Sequence, residues 1–149
     1  MDFKKKYGST TLLSIVNFES KYGYLLPEDY KEFLVVQNGG IPLKKVFLIN
    51  KEEQYDSIDV FFGLDMEKPF LNLDYLVETY QDKFPKSIFP IGEDSGCNYI
   101  CLNVDKSADY GKIYFYDHEV ENEDENCTLN WSNLYLIANS FTEFLEKLH

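Results

Sequence analysis

FPIGEDSGCNYICLNV, residues 89–104, reads as a turn followed by a β-strand. From Tyr99 to Val104 the residues alternate, which places Ile100, Leu102 and Val104 on one face of an extended segment. Ser95-Gly96 is the turn that opens the strand, with Gly92 and Gly96 shaping it. The adjacent carboxylates Glu93 and Asp94 point to opposite sides of an extended chain, so they do not form an acid/base pair. Cys97 and Cys101 are four residues apart, about 13 Å on a strand, whereas a disulfide spans only about 4.4–6.8 Å between Cα atoms. They neither bridge nor share an ion.

Beyond this stretch, GKIYFYDHE (111–119) supplies a second strand, in which Ile113 and Phe115 alternate with Tyr114 and Tyr116, and the two strands form an antiparallel hairpin. KVFLIN (45–50) and SIDVFFGLD (57–65) are β-branched and aromatic runs that read as further strands. LLPEDYKEFLVVQNGG (25–40) is a helix: Pro27 suits the first turn, Glu28 and Asp29 complement the dipole, Tyr30, Phe33, Leu34 and Gln37 follow helical spacing, and Gly39-Gly40 end it. STTLLSIVNFESKYG (9–23) is another, starting from cap-like Ser9 and Thr10, with Leu12, Leu13 and Val16 on its apolar face and Ile15 at the margin. LDYLVETYQDK (73–83) is helical before Pro85, and NLYLIANSFTEFLEKLH (133–149) carries Leu136, Ile137, Phe141, Phe144, Leu145 and Leu148 at helical spacing, Ser140 being a polar neighbour. The order implies an α+β fold, a mainly antiparallel sheet packed with helices, in a single domain over residues 1–149.

Composition narrows the function. Against 26 acidic residues stand 14 basic ones, every one a lysine, for a formal charge of −12. Such a field repels phosphate backbones and attracts basic proteins, and the lack of arginine removes the guanidinium fork that grips carboxylates and phosphates. Direct nucleic-acid binding is therefore not expected. No run approaches the roughly 20 apolar residues of a membrane span and no secretory leader is evident, so no membrane insertion and a cytoplasmic location are expected. Three cysteines, Cys97, Cys101 and Cys127, with no signal peptide point to reduced thiols.

Catalytic and metal chemistry find little support. A nucleophilic Ser95 needs a base held by a carboxylate, and the only histidines are His118, in the acidic YDHEVENEDEN, and His149. Zinc binding lacks a paired Cys-x-x-Cys, and DKSADYG and ENEDEN lack the alternating ligand pattern of an EF-hand calcium loop. No cofactor and no enzymatic activity are expected.

Three blocks carry a family likeness: LPEDYKEFLVVQNGG (26–40), FPIGEDSGCNYICLNV leading into GKIYFYDHE, and IANSFTEFLEKL (137–148). Together they resemble the signature blocks of the SUKH superfamily, which includes the fungal Smi/Knr cell-wall regulators and many bacterial immunity proteins. The resemblance implies an α+β fold without established catalysis, used to bind partner proteins. Bacterial members are commonly encoded beside a toxin that they neutralise by direct binding. This sequence departs from the family where a second glycine and an aspartate often follow the turn: it has Cys97 and Asn98, implying a turn of slightly different shape.

Charge and resemblance converge on an immunity (antitoxin) protein whose partner is a basic toxin domain, such as one that cuts nucleic acid. The alternative is a Smi/Knr-like regulatory or scaffold protein in cell-wall synthesis or signalling. The expected contact residues are Glu93, Asp94 and Asn98 as exposed side chains of the turn, Asp117, Glu119, Glu121, Glu123, Asp124 and Glu125 in the acidic loop, and Asp56 and Asp59 near a strand. Tyr99, Tyr114, Tyr116 and Trp131 are candidate aromatic anchors among them.

Overall fold

The computed structural model describes residues 2–50, 52–118 and 133–149. Glu119, Glu121, Glu123, Asp124, Glu125, Cys127 and Trp131 lie outside the described residues. Two short strands, β1 (Phe3–Lys5) and β2 (Ile41–Pro42), pair with each other. The main sheet, among the described residues, has six strands: β3 (Val46–Leu48), β4 (Tyr55–Phe61), β5 (Ile88–Asp94), β6 (Tyr99–Asn103), β7 (Ile113–Tyr116) and β8 (Leu134–Ala138). They pair antiparallel in chain order. Among the described residues, four α-helices accompany them: α1 (Leu12–Tyr22), α2 (Glu28–Val36), α3 (Leu73–Tyr80) and α4 (Phe141–Lys147). The α+β architecture read from the sequence is the one observed.

Alternation in β6 and β7 sorts their side chains as expected. Ile100 lies opposite Phe115 and Leu102 opposite Ile113 in the register, and all four enter the main core. That core also takes Ile15 and Phe18 of α1, Tyr30, Phe33 and Leu34 of α2, Leu73 and Leu76 of α3, and Phe141 and Phe144 of α4. The intervening Cys101 and Tyr114 belong to a second cluster with Phe84, Ile88 and Leu134. The edge strands β3 and β8 line one cleft of about 390 Å³ together with α4.

Three expectations need correction. In α1 the buried stripe is Ile15 and Phe18, while Leu12, Leu13 and Val16 are 64%, 70% and 52% exposed. Phe18 sets the phase, because its ring packs on Tyr22, Tyr24 and Phe89 at 5.1–6.1 Å. The cap is Thr11, whose Oγ1 accepts the Ser14 amide, while Thr10 instead donates to Asp65. At the other end, residues 134–138 are an edge strand, and only 141–147 are helical. Ser140 is the N-cap of that helix, its Oγ accepting the Glu143 amide at 3.0 Å.

The end of α2 differs as well. The first left-handed residue is Asn38 (φ 55°), followed by Gly39 and Gly40. Asn38 is fully buried and clamps Leu64 from both sides, donating Nδ2–H to its carbonyl (2.6 Å) and accepting its amide on Oδ1 (2.8 Å). The glycines are required by close approach: a Cβ on Gly39 would stand 2.6 Å from the Phe61 and Phe62 carbonyl oxygens. The corner fixes the C-terminal end of β4, and with it the strand that carries Asp56 and Asp59.

Candidate functional site

Antiparallel register gathers acidic residues that are far apart in the sequence. Ile58 pairs with Asp94 and Val60 with Glu93, so Asp56 and Asp59 of β4 come alongside the C-terminal end of β5. Tyr99 pairs with Tyr116, which brings Asp117 to the same end of the sheet. Asp56, Asp59, Glu93, Asp94, Asn98 and Asp117 thus share one region.

Asp94 organises it. Its Oδ1 accepts the amides of Gly96 and Asn98, and its Oδ2 accepts Asn98 Nδ2–H, each at 2.8 Å. The Asp94 amide in turn donates to the Asn98 carbonyl. Asp94 is therefore buried, 6% exposed, rather than an exposed side chain of the turn. Asn98 passes the connection on: its Oδ1 accepts the His118 amide at 3.0 Å and lies 2.6 Å from His118 Nδ1. The turn thereby holds the point at which the chain enters the acidic run from Glu119 onward.

The departure at position 97 falls where the turn is left-handed. The left-handed residue is Cys97, at φ 66°, whereas Gly96 and Gly92 have no positive φ. Gly92 matters through proximity: it lies at a register shift between β5 and β6, and a Cβ there would meet Ile58 Cδ1 at 3.0 Å and the Val60 carbonyl at 3.1 Å.

Crowded carboxylates perturb one another. Burial, then a hydrogen bond with Asp94 and the charge of Asp117, pushes the Asp56 carboxyl up to about 7. Burial also raises Asp94, but hydrogen bonds from Asp56, Asn98 and Gly96 outweigh it and hold the group below its ordinary value. Glu93 is raised by burial and by Asp59 and Asp94. Burial, with crowded carboxylates around it, thus favours a proton on Asp56.

Other candidates support the turn or serve packing. His118 meets Asn98, not Ser95. Cys97 is exposed and Cys101 buried, and both are free thiols. Tyr114 is buried, and the half-buried Tyr99 donates its hydroxyl to Tyr80 at 2.7 Å. Among the described residues, no three acidic, histidine or cysteine groups are arranged to hold a metal ion, and no helix is long and apolar enough to cross a membrane.

The family model for SMI1 / KNR4 (SUKH-1) matches residues 10–147. The chain belongs to the SUKH-1 family. Within this SUKH-1 chain the match runs from the approach to α1 to the end of α4, so the acidic end of the sheet lies inside it. Members of the family bind protein partners and are generally non-catalytic. A relative is the SPbeta prophage-derived uncharacterized protein YokK of Bacillus subtilis (strain 168). It is 33% identical over 147 aligned residues, covering 87% of this chain and 70% of that one.

Proposed function

We propose that this SUKH-1 protein is a bacterial immunity (antitoxin) protein that neutralises a toxin by binding it directly, without chemistry of its own. The observation that carries this reading is the convergence of Asp56, Asp59, Glu93, Asp94 and Asp117 at one end of the sheet, in a chain of net charge −12. A toxin domain that acts on nucleic acid needs a basic surface, and an acidic patch both steers toward that surface and covers it. The run Glu119, Glu121, Glu123, Asp124 and Glu125 follows Asp117 in sequence and extends the same charge. Exposed Asp59 and half-buried Glu93 are the contact residues, and Asp94 and Asn98 set the turn behind them. A prophage origin for a relative fits a protein that protects the genome carrying it.

The test is affinity capture of the tagged protein from its own cells at low and moderate salt, with identification by mass spectrometry. One basic toxin domain at near-equal stoichiometry, whose lethality is relieved by co-expression, is the expected result. Asp59→Asn with Glu93→Gln should slow association about tenfold at low salt and change dissociation less. Capture of cell-wall synthesis or signalling proteins, with no toxin rescued, replaces immunity with a Smi/Knr-like regulatory role.

A further inference from the structure

The two oxygens of Asp56 have different surroundings. Oδ1 accepts the Ser57 amide at 2.8 Å, whereas Oδ2 is sealed from solvent and no N–H or O–H donor reaches it among the described residues. Strand register sets Asp56 beside the 94–98 turn, and hydrogen bonding between the Asp56 and Asp94 carboxyls raises the one and lowers the other. Two ionised carboxylates offer only acceptors, so this contact is cohesive only if one oxygen carries a proton. Asp94 already accepts three donors, from Gly96, Asn98 and the Asn98 side chain, which is the setting of an ionised carboxylate. The proton therefore belongs on Asp56 Oδ2, donated to Asp94.

We propose that Asp56 and Asp94 share a single proton, and that this carboxyl–carboxylate bridge is a pH-operated latch fastening the start of β4 to the 94–98 turn. Opening it releases one proton to solvent and changes no other covalent bond. The charge acting on Asp56 from beyond the pair is that of Asp117, after β7; Tyr55 and Asp59 lie on its own strand, Glu93 precedes Asp94 on β5, Cys97 lies in the turn and His118 follows Asp117. On the β3 side stand Lys45, whose carbonyl accepts the Ile58 amide, and His149, whose backbone pairs with Val46. Asp117 adds negative charge that favours keeping the proton. When it leaves, two adjoining carboxylates repel beside Asp117, and strain falls on the amides that Asp94 holds. Because Asn98 also binds His118, loosening of the turn is transmitted to the entry of the acidic run.

The latch is a property of the protein alone and does not depend on the identity of any partner. Its test is a carboxyl-carbon NMR titration of the uniformly labelled protein, with amide shifts recorded in parallel. The Asp56 Cγ should titrate near neutral pH, and the Gly96 and Asn98 amides should move in the same step. Asp56→Asn, whose amide donates to Asp94 at every pH, should leave those two amides unmoved between pH 6 and 8. An Asp56 that titrates in the ordinary carboxylate range near about 3.9 overturns the proposal, as do Gly96 and Asn98 amides that stay flat while Asp56 titrates. The wild-type titration decides the matter even if the variant fails to fold. Failure here leaves toxin capture and rescue untouched, and failure of those leaves this titration untouched.

Discussion

The corner at residues 38–40 and the turn at 94–98 are each fastened by one polar side chain, and each contains a non-glycine residue in the left-handed region. At the corner the fastener is Asn38, neutral, fully buried and satisfied by Leu64 alone of the backbone groups it grips through its side chain. At the turn it is Asp94, charged, accepting three donors and pressed against a second carboxyl. An amide supplies donor and acceptor together and needs no ionisation, so it makes a joint indifferent to pH. A carboxylate grips backbone amides more strongly but keeps its charge, so the same device makes a joint that responds to its surroundings. One turn holds the fold, and the other holds the acidic surface.

The largest expected effect breaks the corner. Gly40→Ala drives a Cβ into the Lys5 carbonyl oxygen at φ +104°, so chemical denaturation should show a loss of more than about 3 kcal/mol. A loss under about 1 kcal/mol removes the corner from the rigid frame. Next, Asn38→Ala strands two buried backbone groups of Leu64 and should cost about 2–4 kcal/mol. Asp94→Ala should cost less, about 1–3 kcal/mol, because its partners lie in a turn at the sheet's end where water can replace it.

The comparison sharpens with pH. Asp56 is held at about 7 in the folded protein against about 3.9 in an unfolded chain. Its stabilising contribution is complete below the unfolded value and is lost as pH rises through 7. Stability measured by urea unfolding should therefore fall between pH 5 and 8 in the wild type, fall less in Asp56→Asn, and keep its wild-type slope in Asn38→Ala. The smallest effect is a gain: Cys97→Gly relieves the left-handed backbone at φ 66° and should stabilise by up to about 1 kcal/mol.

Much of the fold was legible because the signals were local. Pro27, Glu28 and Asp29 announced α2, and alternation of Ile100, Leu102, Ile113 and Phe115 announced the central hairpin with its core face. The misreadings have physical causes. Leu136 and Ile137 fall at helical spacing from Phe141 and Phe144, so a short edge strand merged with the helix that follows it. The correcting signal was present in Ser140-Phe141-Thr142-Glu143, a Ser-x-x-Glu start that marks a new helix. In α1, two apolar stripes competed, and only the aromatic neighbours of Phe18 chose between them.

The site was legible in composition but not in arrangement. The sequence offers Asp56, Glu93 and Asp117 as acidic candidates, yet their meeting depends on strand register, which no local pattern displays. Nor does the sequence reveal that Asp94 is buried, since Asp in a polar turn usually faces water.

The chain-order pairing of the sheet also bears on how the protein folds. Each strand of the meander can be laid against the one made just before it, which keeps loop closure inexpensive. Long-range ties join the two ends as well: Asp29 Oδ2 accepts both the amide and hydroxyl of Thr142 at 2.9 Å, across 113 residues, beneath the packing of Tyr30 and Phe33 on Phe141. That contact closes a long loop, so it is expected to form after the folding barrier is crossed. Asp29→Ala should then hasten unfolding while leaving the folding rate nearly unchanged, so α4 sets how long the native state lasts more than how quickly it is reached.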